Sequence, residues 1–141
     1  MEDISLHILD IAENSLNAGA KNIQIRLKEN NDEIILKIED DGKGMTQEQL
    51  EKASDPFFTT KNGKKFGLGL SFLAQAAEET GGSLKIERGA KNGICITARF
   101  YKNNIDMKPI GDIEKTMRVL TATHPKVNFS FDHLVEEGDI A

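Results

Sequence analysis

The apolar residues of this 141-residue chain change period several times, and the order of those changes restricts the fold more than any single motif does. Ile4, Ile8, Leu9, Ile11, Ala12 and Leu16 recur at helical spacing, and Asn17-Ala18-Gly19-Ala20 reads as the exit from a helix over about Asp3 to Asn17. Ile23, Ile25 and Leu27 then alternate with polar residues. Asn30-Asn31-Asp32 marks a turn, and Ile34 to Ile38 forms the return strand of a hairpin. Thr46 with Gln49 three residues later is a capping-box pattern for a short helix through Leu50 and Ala53, with Pro56 just beyond it. Helical spacing returns in Leu70, Leu73, Ala74 and Ala77, between Leu68 and Glu79, and closes at Gly81-Gly82. Leu84 to Ile86 and Ile94 to Phe100 alternate again, joined through Asn92-Gly93, a strong hairpin signal.

Helix, two strands, helix, loop, helix, two strands predicts an α+β two-layer sandwich, with a mixed, mostly antiparallel sheet and helices on one face. After Phe100 the pattern weakens. Asp112 is placed to cap a helix carrying Ile113, Met117 and Leu120, and Val127, Phe129 and Phe131 alternate as a late strand. Residues 1–100 are therefore expected to form one domain. Residues 101–141 form an extension of helix plus strand, either packed on that domain or binding a partner.

Composition excludes several classes. A net charge of -5 argues against a protein that coats nucleic acid, which needs many phosphate-neutralising cations on one face. Lys61, Lys64 and Lys65 still offer a local patch for a small polyanion. No apolar run approaches the roughly 18 residues of a membrane span, and Met1-Glu2-Asp3 is acidic where a secretory signal is basic, so a cytoplasmic protein with no membrane contact is expected. Cys95 has no cysteine to pair with, and His7, His124 and His133 show no metal-ligand spacing, so neither a disulfide nor a zinc site is expected.

The candidate chemistry falls in three places. On the first helix His7, Asp10, Asn14 and Asn17 form a polar stripe, which by itself is most simply a solvated face. Within it Asp10 and Asn14 stand one turn apart: a carboxylate able to orient a water, and an amide oxygen suited to a hard cation such as Mg²⁺. At a strand exit, Asp40-Asp41-Gly42-Lys43-Gly44 offers a fixed acceptor, while Gly42 and Gly44 let the backbone approach a flat ligand. An acceptor there selects adenine, whose exocyclic amine donates, over guanine. Third, Asp55-Pro56-Phe57-Phe58-Thr59-Thr60-Lys61 precedes Gly67-Leu68-Gly69-Leu70, a glycine-rich helix start suited to phosphate, with Lys61 adding charge. Neither a Walker P-loop nor a dinucleotide-binding fingerprint is present.

In order and spacing these pieces resemble the GHKL ATPases, named for gyrase, the heat-shock chaperones, histidine kinases and MutL. Glu13-Asn14-Ser15-Leu16-Asn17-Ala18-Gly19-Ala20 resembles the N box, especially its MutL form, and Asp40-Asp41-Gly42-Lys43-Gly44 resembles the G1 box. Asp55 to Lys61 is similar to the histidine-kinase F box, and Phe66-Gly67-Leu68-Gly69-Leu70-Ser71 to the G2 box. The resemblance covers roughly Ile4 to Phe100. It implies the Bergerat fold, with ATP between the helices and a mobile lid, read here as Phe57 to Lys65. By motif match Asn14 would hold Mg²⁺, Asp40 would bind the adenine amine, Gly44 would line the base pocket, and Gly67 and Gly69 would form the phosphate end of the lid.

The departures bear on activity. Asp10 stands where the hydrolysing members and the anti-sigma serine kinases carry glutamate and histidine kinases commonly carry asparagine. It can accept a proton but is one methylene shorter. Glu13, about 60° around the helix, ranks second as a base. Ile94 stands where a hydroxyl residue often follows the last glycine near adenine, which implies weaker adenine affinity. No phosphoacceptor helix precedes the motifs and no transducer domain follows them, so a kinase would act on another chain and a DNA motor is not expected. Three readings stay open: a stand-alone histidine-kinase-like enzyme transferring phosphate to a separate protein, a slow ATPase switch, or a non-catalytic ATP-binding regulatory module. A homodimer is compatible with each.

Overall fold

The computed structural model describes residues 3–52, 68–103 and 110–136. The order is α1 (Ile4–Asn17), β1 (Asn22–Glu29), β2 (Glu33–Asp40), α2 (Gln47–Lys52), α3 (Leu68–Glu79), β3 (Ser83–Arg88), β4 (Ile94–Tyr101), α4 (Ile113–Thr123) and β5 (Asn128–Val135). The strands form one sheet in the order β3-β4-β2-β1-β5. All neighbours are antiparallel except β1 and β5, which run parallel. This is the mixed, mostly antiparallel sandwich that the alternation of periods predicts.

Local chemistry sets the boundaries. Asp3 caps α1, its Oδ1 accepting from the backbone N of Leu6 at 3.0 Å. Asn30 Oδ1 accepts from the backbone N of Asp32 and Glu33, which closes the β1–β2 turn without a glycine. The capping box of α2 is reciprocal: Gln49 N donates to Thr46 Oγ1 at 3.2 Å and Thr46 N to Gln49 Oε1 at 2.9 Å. Ala53, expected in that helix, lies outside the described residues.

One face of the sheet is covered. Ile23, Ile25 and Leu27 of β1, Ile34, Leu36 and Ile38 of β2, and Ile96, Ala98 and Phe100 of β4 are buried against Ile4, Ile8 and Ile11 of α1 and Leu70, Leu73 and Ala77 of α3. Each of the larger side chains removes roughly 1.5–3 kcal/mol worth of apolar surface from water, so the α1–sheet–α3 contact holds the layers together. The alternate residues of the strands, among them Arg26, Lys37 and Arg99, face away from the helices.

The segment after β4 returns to this body at two places. Ser5 N donates to the Ile110 carbonyl at 2.8 Å, and β5 pairs with β1 along its whole length. Asp112 caps α4 by accepting from Lys115 N at 3.0 Å, and Ile113 and Leu120 are buried beneath that helix.

Candidate functional site

Ser15 stands on the apolar stripe of α1, in series with Ile4, Ile8 and Ile11 at helical spacing, and like them it is buried. A hydroxyl there needs a partner, and it finds one at the end of β2: Ser15 Oγ donates to Asp40 Oδ2 at 2.6 Å. Asp40 Oδ1 accepts from Gly42 N at 3.0 Å and from Ile94 N at 3.3 Å. The carboxylate is 6% exposed. Three donors from α1, the turn after β2 and the start of β4 therefore aim one buried acceptor, leaving a lone-pair direction for a ligand donor.

That carboxylate forms part of a crevice between α1, α3 and the sheet, lined also by Ile11, Asn14, Ser15, Met45 and Ile94. Its free volume is about 10 Å³, on the order of one water, too small as it stands for a larger ligand. A larger cavity of about 440 Å³ lies at the strand ends, around Asn22, Gln24, Asp41 and Asn128, and touches only Asp40 among the predicted site residues. Of the predicted site residues Asn14 and Asp40 both line the smaller crevice, which makes it the candidate site.

Asn14 reaches the crevice from α1, and its Nδ2 is buried without a hydrogen-bond partner. Gly69, in the first turn of α3, sits against it: a Cβ there would lie 3.3 Å from Asp10 Cβ and 3.6 Å from Asn14 Nδ2. The absence of a side chain lets the start of α3 cross α1 at these two residues. Asp10, Asn14 and Gly69 are thus brought together, with Asn14 linking them to Asp40. Glu13 is exposed. His7, read as part of a solvated stripe, is 3% exposed instead, because α1 is covered on more than one side: α3 and α4 both pack against it. Lys61, Gly67 and the segment read as a lid lie outside the described residues.

The two glycines of the Asp40–Gly44 turn serve the fold directly. Gly44 has φ +73°, and a Cβ on it would overlap the Asn92 carbonyl oxygen. Gly42 packs on Ala18, whose carbonyl accepts from Lys43 N at 3.0 Å. Asp41, next to Asp40, turns the other way. It accepts from Lys21 N at 2.8 Å, Asn22 N at 2.9 Å and Asn22 Nδ2 at 2.7 Å, and these bonds, the Asn22 side chain foremost, hold its carboxyl down to about 2. Two adjacent aspartates are thereby divided between the crevice, which Asp40 lines, and a structural clamp on the start of β1.

Sequence reasoning overlooked Ser15 and Gly93. Ser15 was legible as a hydroxyl in series with Ile4, Ile8 and Ile11. Gly93 was read as half of a hairpin signal, but the positive φ of that turn belongs to Asn92, at +69°. A Cβ on Gly93 would overlap the Asp40 carbonyl oxygen, so it is a glycine because β4 starts in contact with Asp40.

The donor set suits Mg²⁺ only in part. Among the described residues no three acidic, histidine or cysteine side chains cluster as a metal site, so Asn14 Oδ1 would be a single hard ligand completed by phosphate oxygens and water. The unpartnered Nδ2 of Asn14 is a donor and suits an acceptor such as a phosphate oxygen rather than the metal itself.

Residues 2–104 match the family described as histidine kinase-, DNA gyrase B- and HSP90-like ATPase. The sensor protein CitS of Halalkalibacterium halodurans is 31% identical over 83 residues, which are 59% of this chain and 15% of CitS. The DNA mismatch repair protein MutL of Clostridium perfringens is 48% identical over 54 residues, 38% of this chain and 8% of that protein. The chain therefore spans a small part of the length of these relatives. In three dimensions, the ATPase domain of Aquifex aeolicus MutL, complexed with ADP, superposes with a TM-score of 0.58 at 17% identity, over 94% of this chain and 60% of that one. At that identity the likeness is one of fold. No helix among the described residues is long and apolar enough to cross a membrane.

Proposed function

The chain belongs to the histidine kinase-, DNA gyrase B- and HSP90-like ATPase family, and from that premise we propose that it binds ATP with Mg²⁺ in the crevice between α1, α3 and the end of β2, and transfers phosphate to a separate protein. The observation that carries the nucleotide reading is the Asp40 carboxylate, buried at the crevice and aimed by Ser15, Gly42 and Ile94. A charged acceptor so fixed takes one donor, and the adenine amine supplies it where the guanine carbonyl would be repelled. Gly42 and Gly44 shape the turn beside the base. Asn14 would hold the metal, which when bound neutralises phosphate charge. Gly69, Gly67 and Lys61 would meet the phosphates, using backbone N–H groups at the α3 start and a cation from the preceding segment. Such chemistry belongs to the cytoplasm, where ATP and Mg²⁺ are kept together.

Asp10 Cβ stands against Gly69 and beside Asn14, so its carboxylate would lie near a phosphate held at the α3 start. That position favours a second reading, slow hydrolysis of ATP that times a change in a partner, with Asp10 orienting the attacking water. Incubating the pure protein with terminally labelled ATP and Mg²⁺, with and without cell lysate, separates the outcomes. Label on a protein supports phosphotransfer, free phosphate supports hydrolysis, and binding without either leaves a regulatory module. No binding at all overturns the proposal.

A further inference from the structure

The two edges of the sheet are built differently. The β3 edge is short, six residues, and carries Lys85, Glu87 and Arg88, the usual means of discouraging a foreign strand. The β5 edge is eight residues long, Asn-Phe-Ser-Phe-Asp-His-Leu-Val, with Asp132 its only acidic residue and no lysine, arginine or proline. Its register with β1 is unbroken from Asn22–Asn128 to Glu29–Val135, so no bulge twists the edge away. Asn128 N donates to the Lys21 carbonyl and Glu136 N to the Glu29 carbonyl. Even-numbered residues therefore turn their backbone groups toward β1, and Phe129, Phe131, His133 and Val135 turn theirs outward. Leu134 and Val135 are 54% and 56% exposed. The strand is also held firmly from behind: Glu29 bonds His133 and, at 3.1 Å, Lys102, and Lys28 pairs with Glu136 at 3.1 Å.

We propose that β5 pairs antiparallel with β5 of a second copy of this chain, centred on Phe131, so that two five-stranded sheets join into one. The strand is chemically self-complementary in that register. Phe131 meets itself, Phe129 meets His133 of the second copy, Ser130 meets Asp132, and Val127 meets Val135, so aromatic faces aromatic, hydroxyl faces carboxylate and valine faces valine. The outward-facing residues pair with outward-facing residues, as the backbone hydrogen bonds require. A register centred on Asp132 would oppose two carboxylates, and one centred on His133 would oppose two imidazoles and set Asp132 against Leu134. Of these three registers the one centred on Phe131, which sets Asn128 against Leu134, alone opposes neither like groups that repel nor a charge to an apolar side chain, and the same strand offers this pattern by construction. The inference is independent of the nucleotide reading.

Sedimentation equilibrium of the full chain tests association, and cysteine pairing tests register. A concentration-dependent dimer is expected, and Leu134→Lys with Val135→Lys should weaken it about tenfold or more, the equivalent of about 1.4 kcal/mol, with the far-ultraviolet circular dichroism unchanged. Because both side chains are more than half exposed, the fold should tolerate them. If the double variant unfolds, the second measurement stands alone. Mixing Ser130→Cys chains with Asp132→Cys chains should give a disulfide-linked dimer in far higher yield than either chain alone. Cys95 is buried and its thiol pushed up by burial, so it stays out of exchange. A monomer up to about 1 mM, a dimer unaffected by the two lysines, or cross-linking as strong in the single-variant samples as in the mixture overturns the proposal. So does a monomer that pairs through β5 only with an unrelated protein.

Discussion

Ser15 Oγ and Asp40 Oδ2 lie 2.6 Å apart, a buried hydrogen bond that ties the inner face of α1 to the last residue of β2. The bond does two things at once. It satisfies a buried hydroxyl on the inner face of α1, and it fixes the carboxylate proposed to select the base.

Ser15→Ala should therefore act on both stability and binding. Leaving a buried carboxylate short of one donor costs about 1–3 kcal/mol, read as a lower urea midpoint, and ATP affinity should fall by about tenfold as Asp40 loses its orientation. Asp40→Asn should be more severe and should erase the preference for ATP over GTP in calorimetry. Equal affinities for the two nucleotides in the unaltered protein would remove Asp40 from the base pocket.

Asn14→Ala should abolish the Mg²⁺ dependence of triphosphate binding while leaving the helix intact, since alanine is the better helix former. Titrating Mg²⁺ at fixed ATP in both proteins checks this. A variant whose Mg²⁺ response matches the parent would mean that Asn14 holds no metal.

Asp10→Asn should lower single-turnover cleavage of labelled ATP by about 100-fold, within the range of general-base contributions, with little change in affinity. Asp10→Glu should restore or raise the rate by extending the carboxylate. Full activity in Asp10→Asn would assign Asp10 a supporting place and favour the kinase or binding-module readings.

Asp41 makes the protein acid-sensitive in a defined window. Its folded-state carboxyl is held at about 2, below the ordinary value of 3.8, by the Asn22 side chain and the Asn22 and Lys21 backbone. A lowered carboxylate contributes stability fully above the unfolded value and loses it as pH falls through the folded one. Asp41→Ala should thus cost about 1 kcal/mol or less at pH 7, the shift being discounted for solvent screening. The difference from the parent should persist to about pH 5 and close toward pH 2, as followed by urea unfolding across that range.

Gly93→Ala should destabilise the fold by about 1–3 kcal/mol, the usual cost of forcing atoms into a filled space, because the new methyl meets the Asp40 carbonyl. Nucleotide affinity should fall with it, since Ile94 N, the next residue, donates to Asp40 Oδ1. Thermal unfolding and calorimetry on the same variant would show both, and a stable variant with normal affinity would contradict the contact.

Much of the layout was legible in the chain itself. Ile4, Ile8 and Ile11 read as a helix, Ile23, Ile25 and Leu27 as a strand, and Thr46 with Gln49 as a helix start, because each depends on neighbours a few residues away. The late strand was visible too, in Phe129 and Phe131, but its place was not. A parallel partner is not joined to it by a turn, so nothing local says that β5 lies beside β1.

The site divides along the same line. Asp10 and Asn14, one helical turn apart, and Asp40 beside its two glycines were evident from spacing, since helix and turn geometry place them with no outside help. That Ser15 orients Asp40, that Asp41 clamps β1 while its neighbour faces the crevice, that His7 is covered, and that Gly93 is a glycine for the sake of Asp40 were decided only in the folded chain. Each of these depends on contacts between residues 19 to 54 positions apart, or between elements remote in sequence. Periodicity carries no information about which face of one element meets which end of another. Packing decides that, by requiring every buried donor and acceptor to find its partner and every close approach to find room.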